Sequence, residues 1–388
     1  MTTLALFDLT PVLHVMLMGL VVALGPLSWI WLRHRQAQTV NRLQALTLLT
    51  LFLTFDLVLF GAFTRLSDSG LGCPDWPGCY GFASPVGAQA HIGEAQAAMP
   101  TGPVTHGKAW IEMIHRYLAT AVGVLILVLA ASTVWLRRVQ PALRLAWFLP
   151  VFTLVWVLLQ GAFGALTVTM KLFPAIVSLH LLAGMGLLVL LCLQWARYQQ
   201  IGGQWPPIDV SARVKTGLLV GALLLLTQLA LGAWVSTNYA VLACSEFPKC
   251  QASWWPVMDF SQGFTVWRAL GLTADGQPIN FAALTAIHYV HRLMAYVVLA
   301  LLAWLAWQLK QSQPLQSLAR GLAGLLLLQF LTGLSNVVLD WPMFAALLHT
   351  GGAAALVLLL TTIAVRVWPH ARARAAQTLS PDLPRHPA

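Results

Sequence analysis

The stretch FPAIVSLHLLAGMGLLVLLCLQWA (173–196) runs for 24 residues with one histidine, His180, and no Asp, Glu, Lys or Arg. At about 1.5 Å of rise per helical residue it is long enough to cross a bilayer core of roughly 30 Å. Hydrocarbon offers no water to unpaired backbone groups. The apolar residues are also continuous instead of alternating, so the segment reads as a helix and not as a barrel strand. Eight more such runs lie at 12–32, 43–64, 110–136, 145–168, 216–238, 283–309, 321–339 and 343–365. The chain therefore reads as an all-α integral membrane protein with nine spans and the lipid bilayer as its surroundings. Of its 388 residues 59% are hydrophobic and 9% charged, against about 25% charged in soluble domains, which excludes a water-soluble globule.

A net charge of +10 would suggest nucleic acid in a soluble protein. Its placement here excludes that partner. Residues 33–42, 137–144, 197–215, 310–320 and the tail from 366 carry 15 Lys and Arg against two acids; residues 1–11, 65–108, 169–172, 239–282 and 340–342 carry five against eight. Lys and Arg are retained on the cytoplasmic side. The first set is thus expected in the cytoplasm with the C-terminus, and the two long loops outside, in a multi-pass protein of the cell inner (plasma) membrane. The first span lacks the basic flank and short apolar core of a secretory signal and reads as a helix.

Behind that first span, the other eight form two similar halves. Cys73 and Cys79 match Cys244 and Cys250, His115-Arg116 matches His291-Arg292, Gln160 matches Gln329 and His180 matches His349, at offsets of 171, 176, 169 and 169 residues. Each half holds an even number of spans, so the halves run in the same direction. This is the pattern of a parallel duplication, expected as two similar four-helix transmembrane bundles side by side plus one extra N-terminal helix. The expected parts are the extra helix and its linker (1–41), an N-terminal bundle (42–200), a C-terminal bundle (201–370) and a cytoplasmic tail (371–388). Glycine-bearing stretches close alternate helices: FGAFT (60–64), QGAFG (160–164), LGAWV (231–235) and TGLSN (332–336). Close helix packing alone accounts for such small residues.

Ionisable side chains within a bilayer are costly and mark function by default. Those present are Asp56, Glu112, His115, Arg116, His180, His288, His291, Arg292 and His349, with His14 in the first span. The derived topology puts His115, His180, His291 and His349 near the outer ends of their helices, two per half at one depth. Two neutral imidazoles from two helices suit a haem iron, whose flat macrocycle a bundle interior can enclose. A histidine hydrogen-bonded between helices is the ordinary alternative, and fourfold recurrence weighs against it. Zinc would need three or four close ligands, which neither half offers without the loop cysteines. Arg116 and Arg292 suit haem propionates, with snorkelling to the interface as the alternative. Glu112 stands three residues before His115, where His288 stands three before His291, so only the N-terminal site has a carboxylate on the histidine's face. The expectation is chemistry in the N-terminal half, assisted by Glu112, and a permanent electron-transfer haem in the C-terminal half.

Cys73 and Cys79 in LGCPDWPGCYG, and Cys244 and Cys250 in ACSEFPKCQ, fall in the outward loops, where disulfides form. A structural bridge and a redox-active pair both remain open. Cys192, alone in mid-helix, reads as packing.

GAFTRLSDSGLGCPDWPGCYG (61–81), EMIHR (112–116), HLLAG (180–184), IHYVHR (287–292) and HTGGA (349–353) together resemble the heme A synthase family over roughly residues 43–365. The resemblance implies a membrane oxidoreductase that converts heme O to heme A by successive hydroxylations of the C8 methyl. It also implies that His115 and His180, with Arg116, hold the substrate haem and that Glu112 assists catalysis. His291 and His349 would ligate a heme b cofactor whose propionates meet Arg292, and Cys73–Cys79 would form the first-loop disulfide. Implied partners are heme O, heme A, an electron donor and the enzyme that supplies heme O, with homo-oligomerisation left open. The helix at 12–32 is an addition to the family's usual eight spans, and Asp56 has no counterpart in its pattern. Two rivals remain: a non-enzymatic di-haem b-type electron carrier with bis-His ligation, and a thiol oxidoreductase using the loop cysteines.

Overall fold

The computed structural model describes residues 10–141, 145–201, 205 and 208–368; the expected cytoplasmic tail, 371–388, lies outside the described residues. In chain order the α-helices are α1 (Thr10–Arg33), α2 (Thr39–Leu66), α3 (Gln89–Ala98), α4 (His106–Val139), α5 (Phe148–Thr169), α6 (Pro174–Ile201), α7 (Ala212–Thr237), α8 (Phe260–Gly263), α9 (Phe281–Lys310), α10 (Gln316–Val338) and α11 (Met343–Val367). Nine of these, all but α3 and α8, are long and apolar enough to cross a bilayer among the described residues. The chain is an all-α, multi-pass membrane protein.

Each of these nine helices forms where its apolar run predicts, and several reach beyond it. The apolar run 110–136 becomes α4 because Thr105 caps its start, accepting from the Lys108 N–H at 3.3 Å, while Arg137 and Arg138 complement the negative end of the helix. Hydropathy finds only the part that meets lipid. On α2 the buried hydroxyls of Thr47, Thr50 and Thr54 donate to the carbonyls of Leu43, Leu46 and Thr50 at 2.7–2.8 Å, so a polar face packs inward with its donors satisfied.

Two rings of four helices result. α2 packs on α4 and α6, and α5 on α4 and α6; in the same order α7 packs on α9 and α11, and α10 on α9 and α11. The rings meet through α6 against α11, α6 against α7, and α2 against α11. Helix α1 lies outside, along α4, where a Cβ on Gly19 would come within 2.4 Å of the Thr120 side chain. Both long loops emerge at the same end of the molecule. There Arg65 Nη2 donates to the Ser236 carbonyl at 2.6 Å and the Tyr239 hydroxyl donates to Asp68 at 2.7 Å, each pair 171 residues apart. Left-handed backbone recurs at matching places, at Asp68 and Tyr239, Tyr80 and Gln251, and Lys171-Leu172 and Asp340-Trp341.

The ends of the rings remote from the loops are filled by leucine. Leu125, Leu129, Leu188 and Leu191 are buried in one ring, and Leu302, Leu305, Leu322 and Ile363 in the other. These cores anchor the helices, while the half of each ring nearer the loops carries the polar side chains. In the first loop α3 packs Ile92 against Cys73, Cys79, Ala109 and Met113.

Candidate functional site

His115 on α4 and His180 on α6 stand on diagonally opposite helices of the first ring, and His291 on α9 and His349 on α11 on the corresponding helices of the second. Within each pair the imidazoles are close enough to interact electrostatically. Each imidazole turns its Cε1 corner toward a glycine of a neighbouring helix. A Cβ on Gly61 or Gly232 would stand 3.0 Å from Cε1 of His115 or His291, and one on Gly164 or Gly333 would stand 3.3 Å from Cε1 of His180 or His349. The glycines are therefore clearances for histidine rings, beyond ordinary helix contact. Gly161, aligned with them by sequence, faces nothing within 4 Å; Gly164, one turn later, takes the role.

Glutamines hold the histidine backbones. Gln160 Nε2 donates to the His180 carbonyl at 2.7 Å, Gln329 Nε2 to the His349 carbonyl at 2.9 Å and Gln228 Nε2 to the His291 carbonyl at 3.2 Å. Each stands four residues before its glycine. The fourth position, before Gly61, is Leu57. There His115 is instead stacked by Phe60, with ring centroids 6.2 Å apart and planes within 7°.

The ring nitrogens suit a metal held by a macrocycle. Nδ1 of His115, His180 and His291 is buried without a hydrogen-bond partner. No cluster of three or more His, Cys, Asp or Glu side chains suited to a bare ion forms among the described residues. Two imidazoles per ring, backed by glycine, are the donor set a six-coordinate iron takes when four positions are filled by a porphyrin. His115 with His180, and His291 with His349, fit such a group.

The arginines bind the loops. Arg116 and Arg292 were expected at haem propionates, but both guanidinium groups turn into the disulfide loops. Arg116 Nη1 donates to the carbonyls of Asp75, Pro77 and Gly78 at 3.0, 3.1 and 2.5 Å, and its Nη2 pairs with Glu112. Arg292 Nη1 donates to the carbonyls of Glu246 and Lys249 at 2.9 and 3.0 Å, and its Nη2 to that of Cys244 at 3.0 Å. A tight loop closed by a disulfide turns several carbonyls inward, and a buried fork of donors satisfies them together. Glu112 is held in the same network, since its Oε2 accepts the Cys73 N–H at 2.8 Å. In the second ring His288 takes its place, with Nδ1 donating to the Ala240 carbonyl at 3.1 Å and Nε2 accepting from Arg292 at 3.3 Å. Cys73 bonds to Cys79 and Cys244 to Cys250, with Cα atoms 4.9 and 4.8 Å apart.

The family model of COX15-CtaA, described as cytochrome oxidase assembly protein, matches residues 44–361. The chain belongs to this family. It is 38% identical to the heme A synthase of Shewanella oneidensis over 324 residues, 82% of this chain and 95% of that protein. It is 31% identical to that of Sinorhizobium medicae over 323 residues, 78% and 83% of the two chains. With that of Rhizobium rhizogenes it shares 30% over 323 residues, 77% and 82%. The family match begins after α1, which is an addition to the matched region, and it spans all four histidines and both disulfides.

Asp56 is exposed on α2 and makes no hydrogen bond among the described residues, so it takes no part in either histidine pair. Cys192 is buried against α11, 3.6 Å from the Thr362 hydroxyl. The glutamine clamps and the inward turn of the arginines were missed in the sequence. The repeated Gln-x-x-x-Gly spacing at 160–164, 228–232 and 329–333 was the available signal.

Proposed function

We propose that this protein is a heme A synthase, oxidising the C8 methyl of heme O to a formyl group by successive hydroxylations. In this reading His115 and His180 hold the substrate in the first ring, and His291 and His349 hold heme b in the second. The two rings are copies of one four-helix unit specialised for the two tasks. The observation that carries the reading is a diagonal histidine pair, each ring backed by glycine, in both rings of a chain 38% identical to a heme A synthase over 82% of its length.

Heme b, when bound, would supply one-electron redox chemistry to this oxidation. The chain's own residues do the rest. An imidazole protonated at Nδ1 keeps its Nε2 lone pair for iron. Gly61, Gly164, Gly232 and Gly333 let helices approach the rings, and the glutamines fix the backbone from which the imidazoles project. Glu112 acts as a positioning residue. With one oxygen on the Cys73 N–H and the other on Arg116 it fixes the first loop over the substrate ring, and it is the carboxylate nearest His115 in sequence. Arg116 and Arg292 hold the two disulfide loops. The asymmetry of Lys and Arg directs the loops and both haem sites to the extracytoplasmic side of the plasma membrane and the C-terminus to the cytoplasm.

Haem extraction and mass analysis of the purified protein tests this. Heme O or its oxidised derivatives beside heme b is expected. Heme b alone would support a di-haem electron carrier, and no haem would leave the thiol chemistry of the loops.

A further inference from the structure

The two rings differ at the nitrogen behind one ligand. His349 Nδ1 lies 3.0 Å from the Thr332 hydroxyl. That hydroxyl has a single proton, and its other neighbours are both acceptors: the Leu328 carbonyl at 2.7 Å and the Gln329 carbonyl at 3.4 Å. With the proton directed to the Leu328 carbonyl, the shortest of these contacts, the oxygen accepts the His349 Nδ1–H. This contact fixes the tautomer and the plane of the ring, leaving Nε2 free. Gln329 holds the backbone of the same residue. Along α5 the same register reads Gln160, Phe163, Gly164 where α10 reads Gln329, Thr332, Gly333. Phe163 has no hydroxyl, and His180 Nδ1 is buried with no partner.

A second difference has the same sense. His291 has Gln228 on its carbonyl, whereas His115 has Leu57 at that register. At both places the second ring puts a polar group where the first puts an apolar one. A hydrogen bond to the distal nitrogen of a ligating histidine orients it and raises its basicity, and removing one weakens metal binding by roughly 10–100-fold.

Resting on the haem assignment above, we propose that Thr332 is the positioning residue that makes the second ring a retaining haem site, and that Phe163 at the matching place makes the first ring a releasing one. A substrate must enter and leave its site, whereas a cofactor must stay. One side chain behind each imidazole separates these needs without changing the ligands.

The test is the rate of haem b transfer from the purified full-length protein to excess apomyoglobin, followed by absorption. Thr332→Val keeps the shape and removes the hydroxyl; transfer about 10-fold faster than wild type is expected. Thr332→Ser restores an acceptor and is expected to return the wild-type rate. Phe163→Thr is expected to slow release of added haem from the first ring. A wild-type rate in Thr332→Val, or equally fast loss in Thr332→Ser, would overturn the proposal. A wild-type protein with no low-spin b-type spectrum would instead overturn the haem assignment, so the two failures are distinct.

Discussion

The two helix rings share a neighbour order and a diagonal pair of histidines, and differ in what stands behind them. Around His291 and His349 are Gln228, Gln329 and Thr332; around His115 and His180 are Leu57, Gln160 and Phe163. The loops differ the other way: Glu112 adds a buried ion pair to the first Arg–loop network, where the second has the neutral His288. The first ring thus holds its loop with an ion pair and one histidine backbone with a glutamine, and the second holds both histidine backbones and one imidazole by hydrogen bonds. The lesson is that two rings of one architecture can carry like-placed histidines in unlike surroundings.

The loop contrast gives the largest expected effect. Arg116→Met leaves Glu112 buried and unpaired and should lower stability by about 3–5 kcal/mol. Arg292→Met leaves only carbonyls and His288 without a donor, at about 1–3 kcal/mol. Denaturation in detergent measures both, and equal losses would erase the asymmetry. Next come the disulfides. Cys73→Ser and Cys244→Ser should each cost about 2–4 kcal/mol and leave a low-spin spectrum in place; loss of all haem from Cys244→Ser would give that loop a direct part in the site.

Glycine substitutions sharpen the comparison within each ring. Gly232→Ala and Gly61→Ala place a methyl group 3.0 Å from a histidine ring, and such overpacking costs about 1–3 kcal/mol. Gly161→Ala, with nothing within 4 Å, should retain haem as wild type does. The smallest effect on haem belongs to Asp56→Leu: this exposed side chain on a membrane-spanning helix has no part in either histidine pair, so haem content should be unchanged.

Much of this was legible in the sequence, for identifiable reasons. Continuous apolar runs announce transmembrane helices, and all nine lie where the runs put them. Their ends were less legible, because α4 continues past its apolar part on the strength of Thr105 and two arginines. Helix α3 carries one buried residue, Ile92, too little for a periodic signal. The four histidines stood out because ionisable groups are rare in hydrocarbon. The partners of Arg116 and Arg292 were hidden, since they are backbone carbonyls of loops whose shape no side-chain pattern encodes. Gly161 and Gly164 share one motif, and the choice between them lies in the Gln160-x-x-x-Gly164 spacing, whose glycine the helix turns toward His180.

The most direct measurement is the identity of the haem lost from each histidine variant, read by extraction and mass analysis of purified protein. His291→Ala and His349→Ala are predicted to lose heme b, whereas His115→Ala and His180→Ala are predicted to keep heme b and lose heme O and its oxidised derivatives. Heme b retained in His349→Ala, or the same haem lost from all four variants, would contradict two rings with separate tasks.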